Sequence, residues 1–336
     1  MTIAPPIIVA KPKPRYRSLN QYLRGKFGEP VYRVTVDAGF TCPNVDGSVA
    51  KGGCVYCDNR SFSPNRRLPR KSLREQVTHG VELLGRRYGV SKFIVYFQAA
   101  TNTYAPVDKL KRLYDEALDH PQVVGLAIGT RPDSVPDEVL DLIEDYAKRM
   151  YVCLELGLQS ILDRSLEWMN RGHGFAAFVD AVRRCDGRPF DTCAHVILGL
   201  PGETNDEMLA MADVLAAMPL HGVKIHNLHV VRDTPLEDQY RAGLARMLEF
   251  DEYVKLVCDF VERLPPEMVI HRLNGDAPPK YLVAPEWCLD KNRLLLAINA
   301  ELDRRSTRQG ERCDPARGAE VIRSLLHSSR MGLALA

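Results

Sequence analysis

The stretch Gly39-Phe-Thr-Cys-Pro-Asn-Val-Asp-Gly-Ser-Val-Ala-Lys-Gly-Gly-Cys-Val-Tyr-Cys57 decides how the rest of the chain is interpreted. It brings together three thiols, those of Cys42, Cys54 and Cys57, in a chain whose six other cysteines stand singly. The last two form a Cys-x-x-Cys pair around Tyr56, and eleven residues separate that pair from Cys42. Three such thiolates hold either a closed zinc site with a fourth ligand or an iron–sulfur cluster with one open iron.

The composition is typical of a globular protein with a sizeable core, because 45% of the 336 residues are hydrophobic and 26% are charged. No apolar run reaches the roughly 18 residues that span a bilayer. Residues 1–14 lack the apolar region and cleavage site of an export signal. Nine cysteines, an odd number, argue against a disulfide framework in such a chain. We therefore expect a cytoplasmic protein with reduced thiols and no membrane partner.

Charge is unevenly distributed along the chain. The net charge is +2, but residues 1–75 carry fourteen Lys or Arg and five Asp or Glu, which leaves −7 for the remainder. This asymmetry is typical of a protein with a polyanionic partner, and a solvated basic face would give the same count. Twelve of the fourteen make up the basic run: Lys11, Lys13, Arg15, Arg17, Arg24, Lys26, Arg60, Arg66, Arg67, Arg70, Lys71 and Arg74.

Helical and strand-like patterns alternate regularly after Pro69, and a first strand, Val31–Val36, leads into the cysteine loop. Strands that are nearly all apolar, such as Phe93–Phe97, are typical of parallel sheets covered on both faces. Repeats of about thirty residues indicate right-handed βαβ units. The pattern predicts an α/β fold, a partial (β/α)6 TIM-like barrel, with a doubly wound sheet as the alternative. The later strands are predicted at Lys92–Gln98, Val123–Gly129, Tyr151–Leu156, Thr192–Leu198 and Gly222–Val230.

Three regions are predicted. Residues 1–30 form an N-terminal arm with a short basic helix, residues 31–230 form the barrel, and residues 231–336 form a C-terminal extension packed on it. Within the extension the pattern predicts a helix over Leu248–Leu264 and a strand over Met268–Leu273.

Polar residues follow each apolar strand abruptly, which places them on the loops that carry the chemistry of α/β barrels. A zinc site would need a fourth ligand, and the first later histidine, His79, lies in a predicted helix. His226 and His229 stay as distant alternatives for that ligand. An open iron needs a cavity, which the mouth of a barrel supplies, so the pattern favours the cluster.

A three-cysteine loop after the first strand of a six-stranded α/β barrel resembles the radical S-adenosylmethionine (SAM) superfamily. The usual spacing there is C-x3-C-x2-C, whereas the spacing C-x11-C-x2-C found here is similar to that of the YhcC/YtqA-type branch, which is related to the Elongator catalytic subunit. The likeness covers roughly residues 17–310. Its further motifs lie at residues 96–99, 101–106, 129–133, 155–160, 170–173, 195–204, 224–226 and 270–278.

The resemblance implies that Cys42, Cys54 and Cys57 hold a [4Fe-4S] cluster whose open iron binds the amino and carboxylate groups of SAM. One electron, from a donor such as flavodoxin or ferredoxin, then cleaves SAM to methionine and a 5′-deoxyadenosyl radical that abstracts hydrogen from the substrate. The cofactor carries this chemistry, and the protein binds and orients it.

The resemblance also implies residues that contact SAM. Tyr56 corresponds to the aromatic residue beside the adenine, and Gln98 ends the second strand, where the amino group is held. Gln159 and Arg171 resemble the pair that holds SAM in coproporphyrinogen oxidase-like relatives, and a guanidinium matches a carboxylate with two hydrogen bonds.

Two further positions complete the predicted SAM site. His195 occupies the position of a ribose contact, and Glu155 contacts either SAM or the substrate. The predicted substrate side consists of polar residues in the breaks after apolar strands: His226, His229, His271, Arg272 and Asp276.

The leading functional hypothesis is a radical SAM enzyme that modifies tRNA, with the wobble uridine as its target. The Elongator-like relationship implies this substrate, and the basic N-terminal region is consistent with it. The alternatives are a radical SAM enzyme acting on a small metabolite and a zinc-bound nucleic-acid-binding protein without catalysis.

Overall fold

The computed structural model describes residues 14–67, 69 and 71–334, with side chains as far as residue 328. Residues 1–13 of the predicted N-terminal arm, with Lys11 and Lys13, therefore lie outside the described residues, and so does Arg70. The strands are β1 (Val31–Val36), β2 (Lys92–Phe97), β3 (Val123–Thr130), β4 (Tyr151–Gln159), β5 (Asp191–Leu198), β6 (Gly222–Asn227), β7 (Val230–Val231), β8 (Val269–Arg272) and β9 (Leu282–Ala284).

Seven of these strands form one parallel sheet in the order β1-β2-β3-β4-β5-β6-β8, and the sheet curls into a half-barrel. The predicted partial barrel is confirmed, and a seventh strand, β8, extends the six that were expected. The small strands β7 and β9 pair antiparallel beside it. The division of the chain at residue 230 stays a prediction, since β8 follows that residue and yet pairs with β6.

Twelve α-helices are found in the described part of the chain, and most connect successive strands. They are α1 (Leu19–Phe27), α2 (Asn59–Phe62), α3 (Leu73–Tyr88), α4 (Val107–Leu118), α5 (Asp137–Ala147), α6 (Asp163–Trp168), α7 (Phe175–Cys185), α8 (Asn205–Ala216), α9 (Pro235–Arg241), α10 (Phe250–Arg263), α11 (Lys291–Arg304) and α12 (Pro315–Ala334). None of the described helices is both long and apolar enough to cross a bilayer.

Local sequence explains where several helices begin and which face they bury. Ser72 and Glu75 form a reciprocal capping box at the start of α3, as do Thr204 and Glu207 at the start of α8. In α4 the buried side chains Leu110, Tyr114 and Ala117 recur at helical spacing, so one stripe faces the sheet.

Successive residues of each strand face opposite sides of the sheet, because the side-chain period of a strand is two. On β2, Phe93, Val95 and Phe97 pack with the surrounding helices, whereas Ile94 and Tyr96 belong to a separate interior cluster. Helix α1 contributes Leu23 to that interior cluster. The N-terminal end of the half-barrel is therefore closed by apolar packing. A ligand can reach the interior from the end where the strands have their C-termini.

The segment before α1 is joined to the C-terminal region by hydrogen bonds. The Ile270 amide donates to the Arg17 carbonyl over 2.8 Å, and the Gln309 amide donates to the Arg15 carbonyl over 2.9 Å. The Arg17 amide donates in turn to Gln309 Oε1 over 2.8 Å. These contacts hold the segment before α1 against β8 and the segment between α11 and α12.

One predicted strand is too long, and two helices were not predicted. The strand expected over Gly222–Val230 ends at Asn227, where the backbone leaves the sheet before β7. Neither α9 nor α12 was predicted. Helix α12 packs on α8 so closely that a methyl group at Gly318 would lie 1.9 Å from the Asp213 carbonyl oxygen.

A pair of glycine substitutions tests the packing of the sheet against its helices. A methyl group at Gly80 in α3 would come within 2.4 Å of Val34 Cγ1, whereas at Gly25 in α1 it would meet no atom within 4 Å. We predict that Gly80→Ala lowers the free energy of unfolding by about 1–3 kcal/mol through overpacking. Gly25→Ala should raise it by up to about 1 kcal/mol through helix propensity. Denaturant unfolding measures both, and equal effects of the two would contradict the packing.

Candidate active site

The cysteine loop follows β1 at the C-terminal edge of the sheet and gathers the three thiols. The side chain of Asn44 contacts two of them: its Oδ1 lies 2.6 Å from Cys42 Sγ, and its Nδ2 donates to Cys54 Sγ over 3.2 Å. The Cys57 amide donates to the Cys54 carbonyl over 3.0 Å, so a tight turn keeps the second and third cysteines together. The three predicted ligands therefore converge.

The residues between Cys42 and Cys54 fold back on themselves. Amide groups of Val45 and Asp46 donate to the Cys42 carbonyl, and the Gly53 amide donates to the Asn44 carbonyl over 2.8 Å. Asn170, which follows α6, donates from its side chain to the carbonyls of Lys51 and Gly53 over 2.8 and 2.7 Å. The loop is thus a compact unit fixed to the rest of the barrel.

The arrangement fits an iron–sulfur cluster better than a closed zinc site. Ligands of one tetrahedral zinc ion, each about 2.0–2.3 Å from the metal, would lie within roughly 4 Å of one another. Within the described ranges, the one group of three ligand atoms all within 4.8 Å of each other is Cys153, Glu155 and His271, and the cysteine triad does not meet that spacing. The cysteine sulfurs have hydrogen-bond donors near them, among them the Thr101 hydroxyl 3.1 Å from Cys42 Sγ. Such donors stabilise the negative charge of a thiolate ligand.

Gln159 and Arg171, which were predicted to hold SAM, lie together over Gly157. A methyl group at Gly157 would come within 2.5 Å of Arg171 Nη2 and 2.8 Å of Gln159 Nε2, so the glycine makes room for both side chains. Gln159 has a φ of +71° at an irregularity in the pairing of β4 with β5, which turns it out of the strand. The roles of both residues toward SAM stay predictions.

Arg171 links this strand to the cysteine loop. The buried guanidinium donates to the Gly157 carbonyl over 3.0 Å and to Cys54 Sγ over 3.5 Å. Its Nε is buried and has no hydrogen-bond partner among the described residues. A buried donor without a partner costs about 1–3 kcal/mol, so a bound acceptor such as the carboxylate of SAM fits this position.

Tyr56 and Gln98 lie at the same edge of the sheet. Tyr56 packs against an apolar cluster that includes Met169 and Ile197, and desolvation, followed by the neighbouring Cys54, raises its pKa. An apolar surface of this kind can pack against a flat aromatic ring such as adenine. Gln98 is half-buried directly after β2. Their contacts with SAM also stay predictions.

Three residues near Arg171 were not assigned roles from the sequence. Arg131 is almost fully buried, holds Asp133 with two hydrogen bonds of 2.8 and 2.6 Å, and donates to the Arg171 carbonyl over 2.7 Å. His173 has a buried Nε2 without a described partner, and desolvation and then Arg171 lower its pKa to about 3. The motif Gly129–Asp133 signalled the loop, but only the folded contacts reveal that Arg131 positions Arg171.

Glu155 is the centre of a charged network inside the half-barrel. It is fully buried, and desolvation would raise its pKa, but Lys224, Arg33 and His195 together hold that pKa well below the usual range. The carboxylate is therefore ionised. The atoms around it are Arg33 Nη1 at 2.6 Å, the Tyr96 hydroxyl at 2.6 Å, His195 Nε2 at 2.7 Å, Lys224 Nζ at 3.1 Å and His271 Nδ1 at 3.5 Å.

Several predicted site residues belong to this network, and their roles toward SAM or the substrate stay predictions. His195 is hydrogen-bonded to Glu155, and His271, predicted on the substrate side, also contacts Glu155. Burial lowers the pKa of His195 to about 4 and that of Lys224 to about 8. Arg33 and Lys224 do not stand out in the sequence. Their two positive charges beside Glu155 make the group of Cys153, Glu155 and His271 unsuitable for a metal cation.

The remaining predicted substrate residues separate into three places. The ring of His226 lies 5.7 Å from that of His195, its Nε2 is buried without a described partner, and desolvation lowers its pKa well below the usual value. His229 lies against Gly275, and Arg272 pairs with Asp276 over 3.4 Å. Among these predicted substrate residues, His226 is therefore the one whose buried ring nitrogen has no described hydrogen-bond partner.

Comparisons with known proteins agree with this geometry. Residues 49–215 match the model of the Radical SAM superfamily, and residues 220–304 match that of the Radical_SAM C-terminal domain. The chain is 40% identical over 300 residues to YtqA of Bacillus subtilis, which covers 88% of this chain and 92% of YtqA. It is 37% identical over 283 residues to YhcC of Escherichia coli, which covers 84% and 89% of the two chains.

Among solved structures, the archaeal Elp3 of Methanocaldococcus infernus, with an N-terminal deletion, has the same fold. The two superpose with a TM-score of 0.63 at 16% identity, over 83% of this chain and 64% of that one.

The Glu155 network generates a stability prediction. Glu155→Gln leaves the buried guanidinium of Arg33 and the buried ammonium of Lys224 without a counter-charge, so we expect a loss of about 3–5 kcal/mol in unfolding free energy. Asp145→Asn, which removes an exposed partner of Lys148, is the control and should cost less than about 1 kcal/mol. Urea unfolding of the two variants measures the difference. Comparable stabilities would contradict a structural role for the network.

Proposed function

The chain belongs to the radical SAM superfamily, in the YtqA and YhcC branch that is related to the Elongator catalytic subunit, and on that premise we propose that it modifies tRNA at the wobble uridine. The protein is an iron–sulfur, SAM-dependent enzyme. When bound, the [4Fe-4S] cluster and SAM supply a radical that removes hydrogen from a substrate. What the proposal adds is the identity of that substrate.

The protein's own residues hold and orient the reactants. Cys42, Cys54 and Cys57 would ligate the cluster, and Arg171 would hold the carboxylate of SAM beside Cys54. His195 and His226 face the interior as neutral imidazoles, because burial lowers the pKa of both. They offer hydrogen-bonding nitrogens to a polar substrate without adding charge. Helix α1 closes the far end, so reactants enter from the side of the cysteine loop.

The observation that carries the tRNA proposal is a surface that we call the Tyr281 rim, formed by Arg60, Arg67, Arg232, Lys280 and Tyr281. Lys280 Nζ lies 4.9 Å and Arg67 Cζ 5.9 Å from the centre of the Tyr281 ring. The backbone of Arg232 bonds to that of Tyr281 over 2.8 Å. Aromatic rings stack on bases and cations neutralise phosphates, so this combination suits a nucleic acid.

Arg60 and Arg67 follow the cysteine loop in the chain, and the Leu236 amide, four residues after Arg232, donates to the Val55 carbonyl of that loop over 2.9 Å. Arg60 is in α2, which begins two residues after Cys57, and Arg67 ends the short helical turn that follows. Tyr281 directly precedes β9. Asp58 and Asp233, 2.9 and 3.8 Å from Arg60, reduce the positive charge of the rim without cancelling it. An RNA held here would present a nucleotide to the mouth of the half-barrel.

A small metabolite is the second candidate substrate, because much of the basic excess in residues 1–75 is neutralised within the chain. Arg15 pairs with Asp303, Arg66 with Asp37, Arg74 with Asp119, and Arg33 with Glu155. The charge count alone therefore does not support RNA. The arrangement of the Tyr281 rim does.

Loss of SAM binding should be separable from loss of the cluster. We predict that Cys54→Ala abolishes iron binding while the circular dichroism of the barrel is kept. Arg171→Ala should retain iron and sulfide near wild-type levels and weaken SAM binding at least tenfold, because it removes a charge-assisted pair. Isothermal titration with SAM under anaerobic conditions checks the second effect. An Arg171→Ala protein with unchanged SAM affinity would remove this residue from the site.

The tRNA proposal is tested by binding and by product. Binding of tRNA to the reconstituted enzyme should weaken steeply between low and moderate salt. Arg67→Glu combined with Lys280→Glu should weaken it at least tenfold. The control, Arg86→Glu combined with Arg87→Glu, reverses two charges on α3 away from the rim and should leave binding unchanged.

The product is sought by incubating tRNA anaerobically with enzyme, SAM and reductant and comparing its nucleosides by mass spectrometry. A changed wobble nucleoside is expected. Salt-independent binding together with unchanged nucleosides would reject tRNA and leave the small metabolite.

A further inference from the structure

The eleven residues between Cys42 and Cys54 carry a polar side chain whose role is not explained by holding the loop together. Asn44 is 1% exposed, and its amide contacts the sulfurs of both Cys42 and Cys54. Thr101, from the loop after β2, is also 1% exposed, and its hydroxyl donates to Cys42 Sγ over 3.1 Å. Two buried donors from different loops therefore point at cysteine sulfurs.

We propose that Asn44 and Thr101 are positioning residues that donate hydrogen bonds to the cysteine thiolates of the cluster and thereby raise its reduction potential. The inference rests on the cluster alone and is independent of the tRNA substrate. It also assigns a purpose to the long spacing between Cys42 and Cys54.

Each of the two sulfurs has its own donor. Asn44 Nδ2 donates to Cys54 Sγ over 3.2 Å, and Thr101 Oγ1 donates to Cys42 Sγ. The contact of 2.6 Å between Cys42 Sγ and Asn44 Oδ1 depends on a thiol proton. Once Cys42 is deprotonated to bind iron, that contact has no proton left, and the Thr101 hydroxyl remains as the donor to Cys42.

The long segment between the cysteines fixes the Asn44 amide in place. Its Nδ2 also donates to the Asn170 carbonyl over 3.1 Å, and its own carbonyl accepts the Gly53 amide. The Asn170 side chain in turn holds the end of the cysteine loop by donating to the carbonyls of Lys51 and Gly53. The amide is therefore held by protein contacts other than the two sulfurs.

A hydrogen bond to a cluster sulfur acts on the reduction potential through charge. One-electron reduction, with the electron supplied by the donor protein, adds a negative charge to the cluster and its thiolates, and no covalent bond forms or breaks. Donors stabilise the more negative state more strongly, so they raise the potential. Burial strengthens the effect because the surroundings have a low dielectric constant. Removing a donor should make the cluster harder to reduce.

Thr101→Val is the decisive variant, since it removes the hydroxyl and keeps the shape. At a fixed potential, we expect the ratio of reduced to oxidised cluster to fall about tenfold, which corresponds to a midpoint about 59 mV lower for one electron. An anaerobic redox titration followed by electron paramagnetic resonance measures this midpoint directly. Asn44→Leu should shift it in the same direction.

Thr103→Val is the matched control. Thr103 is also buried and lies two residues away, but its hydroxyl contacts Thr130 Oγ1 and the Ser134 carbonyl instead of a cysteine. It should leave the midpoint unchanged. Iron and sulfide content is determined for every variant, and if Asn44→Leu fails to hold iron, Thr101→Val still decides the matter. A fully loaded Thr101→Val protein with the wild-type midpoint would overturn the proposal.

Discussion

The buried carboxylate of Glu155 is the central hydrogen-bond acceptor of the polar interior of the half-barrel. It receives Arg33 from β1, Tyr96 from β2, His195 from β5 and Lys224 from β6, so four other strands are tied to β4 through one side chain. Isolated, each of these charges would be costly to bury; together they satisfy one another. The network also separates the apolar end sealed by α1 from the open end, where the cysteine loop lies.

Arg171 plays the corresponding part at the open end. It touches a cysteine of the loop and the backbone of β4, and Arg131 holds its carbonyl. The sulfur-bearing loop is thereby positioned by the same strand that carries Glu155. A small displacement of β4 would therefore change both the contacts of Arg171 with the cysteine loop and the hydrogen bonds of Glu155.

Much of the fold was readable from the chain because its signals are local. The near-apolar strands, the capping residues Ser72 and Thr204 and the cysteine spacing each depend on a few neighbouring residues. The placement of β8 was not predicted, because it depends on pairing with β6 across more than forty intervening residues. Arg33 and Lys224 were overlooked for the same reason: a polar residue on a strand reveals its partner only when distant strands meet. The contacts of Asn44 with two sulfurs likewise depend on how the loop closes.

The joining of the segment before α1 to Ile270 and Gln309 has a consequence for biosynthesis. Residues near the start of the chain leave the ribosome long before the partners that complete their hydrogen bonds. The half-barrel can assemble strand by strand as it emerges, but its closing contacts form only when the C-terminal region has been translated. The cysteine loop, in contrast, has its partners Thr101, Asn170 and Arg171 in the middle of the chain, so its contacts can form well before those of the N-terminal segment.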